Sequence, residues 1–120
     1  MSPEEFRRRT FAYGIRIVRL VQALPKNDVA RELGRQLLRA GMSVGSNYRA
    51  AARGRSRADF IAKLGIVEEE CDETLYWIEA LVELEMIDKP RVSALTAEGT
   101  ELLAMIVASI QTARRKNAKA

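Results

Sequence analysis

Histidine is absent from this chain, and cysteine occurs once. Without histidine there is neither the commonest general base nor the commonest transition-metal ligand. A di-iron bundle, which needs a Glu-x-x-His pair on each of two helices, cannot be assembled. Cys71 has no cysteine partner for an internal disulfide, so a reducing cytoplasm is the expected location. It also has no imidazole to activate it as a nucleophile. The acidic run Glu68-Glu69-Glu70 comes from one segment, whereas a hard cation needs ligands converging from several elements. The expectation is therefore a protein that is not an enzyme and holds no cofactor and no metal. Only 3 prolines and 7 glycines interrupt 120 residues, which favours long unbroken elements. No continuous apolar run reaches the ~20 residues of a membrane span. The N-terminal segment also lacks the apolar stretch of a signal peptide, so no membrane association is expected.

Hydrophobic residues make up 48% and charged residues 30%, the balance of one globular or helical domain with a real core. The net charge of +4 is unevenly spread. Between Arg31 and Lys63 lie eight basic and two acidic residues, whereas Gly65 to Asp88 carries nine acidic residues and no basic one. Such a pair of segments can neutralise internally or present two distinct surfaces.

Apolar spacing predicts four helices, over about 3–24, 28–53, 57–87 and 90–115, in one domain spanning 1–120. Ser2-Pro3-Glu4-Glu5 and Ser56-Arg57-Ala58-Asp59 are capping boxes, and Asn27 or Asp28 can cap the second helix. Leu24-Pro25 ends the first helix. Phe6, Thr10, Tyr13, Ile17, Leu20 and Leu24 recur by four and three. Leu37 and Val44 on the second helix, Phe60, Leu64 and Ile78 on the third, and Leu102 and Ile106 on the fourth are expected in the core. The fourth helix repeats Leu95, Gly99, Leu102, Ile106, Ser109 and Ala113, and a tail from Arg114 is expected to fray. Cys71 falls on the third helix's core seam, where a packed, inert thiol is expected. Short connections imply an all-α, antiparallel up-down-up-down four-helix bundle.

The second helix carries the sharpest functional clue. Arg31, Arg35, Arg39, Arg49 and Arg53 fall within an arc of about 80° opposite its apolar face. With Arg55 and Arg57 in the following turn they form a candidate surface for RNA or DNA phosphates. No base-reading or aromatic-interleaved motif accompanies them, so only backbone contact is implied. Pairing with the acidic third helix, or ion pairing between subunits, are the other readings of the row. Surplus apolar residues, Phe11 and Ile15 on the first helix and Ile66, Trp77 and Leu84 on the third, suggest an oligomer interface. Asn47 is expected to hydrogen-bond between helices.

The runs Ser43-Val44-Gly45-Ser46-Asn47, Ser56-Arg57-Ala58-Asp59-Phe60 and Glu68-Glu69-Glu70-Cys71-Asp72-Glu73-Thr74-Leu75-Tyr76-Trp77 resemble the 23S rRNA intervening-sequence proteins, the S23 family. The likeness extends over nearly the whole chain. It implies a left-handed up-down bundle that assembles as a homopentamer. It also extends to the accessory proteins of diversity-generating retroelements, which implies nucleic-acid and protein partners. The family follows its asparagine with an apolar residue, an acidic residue and glycine. Here Asn47 is followed by Tyr48-Arg49-Ala50-Ala51, so a role for that acidic residue does not carry over. The expectation is a non-enzymatic oligomeric bundle whose arginine-rich face is a candidate surface for structured RNA or DNA. The alternative is a protein–protein assembly module whose arginines serve only ion pairs.

Overall fold

Four helices account for nearly all of the computed structural model, which describes residues 1–119: α1 (Pro3–Gln22), α2 (Asp28–Ala52), α3 (Arg57–Glu83) and α4 (Lys89–Lys119). No strand occurs among the described residues. Each of the first three helices starts where a side chain satisfies an orphan amide. Ser2 Oγ accepts from Glu5 N at 3.1 Å, Asn27 Oδ1 from Ala30 N at 2.9 Å, and Ser56 Oγ from Asp59 N at 3.0 Å.

Three helix ends differ from the sequence expectation. α1 stops at Gln22, because Ala23 and Leu24 close a tighter last turn onto Leu20 and Val21 before Pro25. α3 stops at Glu83, where Glu85 adopts a left-handed conformation (φ 57°). There Glu85 N and Met86 N turn back onto the carbonyls of Val82 and Leu81, closing the helix. α4 does not fray at Arg114 but continues to Lys119. Arg114, Arg115, Lys116 and Ala118 are good helix formers, and the positive charges of the first three suit the negative end of the helix dipole.

The helices run antiparallel in chain order, and the molecule is a rod of 52 × 22 × 21 Å. α1 packs on α2, α2 on α3 and α3 on α4, while α1 and α4 touch sparingly. The expected core residues Leu37, Val44, Leu64, Ile78, Leu102 and Ile106 are all buried. Phe60 is only half-buried, because it lies at the open end of the bundle beside a cleft. Ser109 is exposed, and Ile110 takes the inward position instead. Thr74 and Leu81 join the α3 core. Thr74 satisfies its hydroxyl within the helix, donating to the Glu70 carbonyl at 2.7 Å.

Small residues set the α1–α2 spacing. A Cβ built on Gly41 would stand 2.7 Å from the Ile17 side chain, and one on Gly45 would meet the Thr10 and Phe11 backbone at 3.2–3.3 Å. Glycine at these positions lets the two helices approach closely. α4 is long enough, and over 18 residues apolar enough on average, to cross a membrane, although charged residues interrupt its apolar runs. In the bundle Val92, Leu95, Leu102, Ile106 and Ile110 are buried and Glu98 pairs with Arg9, while 28% of that apolar window is buried.

Candidate nucleic-acid interface

Every arginine of the α2 row is exposed, but the row is not uniform. Arg31 pairs with Asp28 at 2.8 Å and Arg35 with Glu32 at 3.7 Å, each one turn away on the same helix. Arg39 crosses to α3, with Nη2 at 2.6 Å from Glu73 and Nη1 at 3.1 Å from Glu70. The Arg39 hydrogen bond holds the Glu73 carboxyl below the ordinary carboxylate range, assisted by the Trp77 indole, which donates to Glu73 at 3.3 Å. Pairing with the acidic third helix therefore accounts for Arg39.

Arg49, Arg53, Arg55 and Arg57 are different. Among the described residues, none has a carboxylate within ion-pairing distance. Asp59, in the first turn of α3, is already engaged. It accepts from Lys63 Nζ at 3.0 Å and from the Arg55 backbone amide at 3.1 Å, and the Lys63 bond lowers its pKa most.

Topology adds further charge to the same place. In an antiparallel bundle the end of α2, the start of α3, the start of α1 and the end of α4 share one pole. The contact of Phe6 with Tyr48 (ring centroids 4.7 Å) and a cleft lined by both Arg57 and Lys116 confirm this. Arg7, Arg8, Arg114, Arg115 and Lys116 thus join Arg49, Arg53, Arg55 and Arg57. Carboxylates near that pole include Glu4, Glu5, Asp59 and Glu101, of which Glu4 is held by Arg7 at 2.8 Å and Glu101 by Arg9 at 3.4 Å. The α4 contribution was not anticipated. The signal was available, since the up-down order alone puts both helix ends together.

Asn47 does not bridge helices. Its Nδ2 donates to the Ser43 carbonyl of its own helix at 2.8 Å. Mid-helix, that short amide side chain reaches the carbonyl one turn back more easily than a neighbouring helix. The proposed interface residues fall into two groups. Phe11 (62% exposed) lies on α1 beside Gly14, Met42, Ser46 and Arg49, in a shallow groove between α1 and α2. Ile66 on α3 and Leu84 just past its end are exposed, whereas Ile15 and Trp77 are half-buried, Trp77 packing on the core edge. Tyr76, 60% exposed, stands among Glu69, Asp72, Glu79 and Glu83 on the outer face of α3, and its ring meets Trp77 edge-on at 5.0 Å.

Chemistry elsewhere is sparse. Cys71 is buried and donates its thiol to the Gly99 carbonyl at 3.4 Å; burial pushes its pKa up to about 12. Among the described residues no three Cys, Asp or Glu side chains are placed to hold a metal ion.

The chain matches the model of the 23S rRNA-intervening sequence protein family over residues 5–108. It is similar to a protein of unknown function from the S23 ribosomal protein family of Bacteroides thetaiotaomicron VPI-5482. That crystal structure superposes with a TM-score of 0.83 at 32% identity, covering 92% of this chain and 99% of the other. No curated protein matches. Fold, length and sequence agree, and the chain belongs to the 23S rRNA-intervening sequence protein family.

Proposed function

We propose that this chain is a non-enzymatic bundle that grips the phosphate backbone of RNA or DNA with its basic pole. The observation carrying this reading is the contrast within one arginine row. Arg31, Arg35 and Arg39 have carboxylate partners, whereas Arg49, Arg53, Arg55 and Arg57 are exposed without one among the described residues. Four unpaired guanidinium groups within two turns of a helix junction repel one another, so an anionic partner lowers their energy. Guanidinium matches phosphate geometry in a bidentate fork. Binding of this kind is independent of sequence and falls steeply with salt. Gel shift and anisotropy titration against unrelated RNA and DNA duplexes test it. Arg53→Ala should weaken all of them about equally and reduce the salt slope by about one. Absence of binding at low salt would overturn the proposal.

A second reading concerns assembly and is favoured by a separate observation, the exposure of Phe11 and Tyr76 at 62% and 60%. Phe11 borders Arg49, and Tyr76 stands among carboxylates. An α1–α2 face of one subunit and an α3 face of the next are complementary in both polarity and charge. A head-to-tail contact of that type closes into a ring when its rotation permits. The family resemblance implies five subunits.

A further inference from the structure

We infer that the cleft at the basic pole receives one unpaired nucleotide, its base against Phe60 and its phosphate between Arg57 and Lys116. This deepens the phosphate-binding reading and rests on it. The cleft measures about 400 Å³ and opens between the first turn of α3 and the last turns of α4. It is present because α1 covers α4 sparingly, its polar contacts with α4 ending where Arg9 Nη1 meets Met105 Sδ at 3.6 Å. Beyond that point α4 continues to Lys119 with α3 beside it.

Its lining divides into three kinds. Phe60, half-buried, offers an aromatic surface, with Ala108 and Ala113 leaving room beside it. Ser109 and Thr112 bring hydroxyls. Elsewhere on α4, Ser93 and Thr100 donate to carbonyls one turn back, at 3.0 and 2.9 Å. Ser109 and Thr112 donate to no protein group among the described residues, and Thr112 only accepts, weakly, from Arg115 at 3.4 Å. Arg57 from α3 and Lys116 from α4 add two cations to the lining. An apolar aromatic floor, free hydroxyls and two cations match the three parts of a nucleotide: base, sugar or base edge, and phosphate. The volume falls in the range of small-ligand sites. A base paired inside a duplex cannot reach such a cleft, whereas a loop, bulge or end can.

Fluorescence anisotropy with two labelled RNAs of equal length tests this, one a hairpin with an unpaired loop and one a continuous duplex. The full chain should bind the hairpin several-fold more tightly, because base–aromatic stacking adds to the phosphate term. Phe60→Leu keeps apolar volume but removes the aromatic face. Ser109→Leu, at an exposed helix position, fills the cleft without touching the core. Each should lower hairpin affinity about fivefold or more and leave duplex affinity unchanged. If both RNAs bind equally and Ser109→Leu changes neither, the cleft inference is overturned and the basic pole stands. If neither RNA binds at low salt, both proposals fall.

Discussion

The Tyr13 hydroxyl lies against Gly99, so close that a Cβ on Gly99 would collide with it and with Leu75. Tyr13 is 1% exposed, and its hydroxyl finds no hydrogen-bond partner among the described residues. Burial pushes its pKa up, so the phenol stays protonated. This is the point where α1 approaches α4, and glycine is what permits it.

Two substitutions at that point have opposite signs. Gly99→Ala forces the phenol aside and should destabilise the fold by about 1–3 kcal/mol, an overpacking effect. Tyr13→Phe removes an unsatisfied buried hydroxyl while keeping the ring, and should be neutral or stabilising by about 1 kcal/mol. Combined, the phenylalanine should recover part of the Gly99→Ala loss. Urea denaturation of the four proteins measures it, and strict additivity would refute the contact.

Gly65 and Gly41 both interrupt helices, yet they differ in surroundings. Nothing lies within 4 Å of a Cβ built on Gly65, so Gly65→Ala should stabilise by about 0.5–1 kcal/mol through helix propensity. Gly41→Ala drives a methyl into Ile17 and should destabilise despite the same gain in propensity. Thermal melts give the comparison directly.

Glu73 supplies a pH dependence. Its folded-state pKa is lowered by Arg39, so the pair contributes stability above the unfolded carboxyl value. That contribution is lost as pH falls through the folded one. The pair is half-exposed, so its worth is about 0.2–1 kcal/mol. Glu73→Gln should therefore be less stable than the parent at pH 7, and the gap should close on acidification below the carboxylate range. An equal gap at pH 7 and pH 3 would show that Glu73 acts through packing alone.

Light scattering coupled to size exclusion, at moderate salt and micromolar concentration, reports the assembly. A mass of several chains is expected, five by the family resemblance. Phe11→Ala should shift it towards smaller species. Trp77 is a poor probe, because it packs on the core edge and its loss unsettles α3 itself. A mass of one chain for the parent protein would sink the assembly proposal.

Helix number, order and most core positions were legible because they rest on local signals: caps at Ser2, Asn27 and Ser56, and the three-four spacing of Leu37, Ala40 and Val44. Helix ends were less so. The left-handed Glu85 closing α3 carries no glycine to announce it, and the basic α4 tail reads equally as helix or coil. The arginine row was visible, but its division was not. The pairs of Arg31 with Asp28 and Arg35 with Glu32 are i,i+3 neighbours on one helix and were readable, but which arginine Glu70 and Glu73 reach depends on how α3 packs, and they meet only Arg39. The cleft was invisible for the same reason: Phe60 and Ser109 stand 49 positions apart in the chain and meet only through helix packing.

The shape of the molecule bears on how it occupies a polymer. If the basic pole grips a polyanion as proposed, a rod 52 Å long and about 22 Å wide would stand upright on it rather than lie along it. Its footprint is then one helix-bundle cross-section, roughly six base-pair steps of a duplex, at ~3.4 Å per step. The turns around Pro25 and Asp88 project about 50 Å into solvent. In the proposed oligomer, several such rods side by side would form a palisade, with one rim on the polyanion and the opposite rim free.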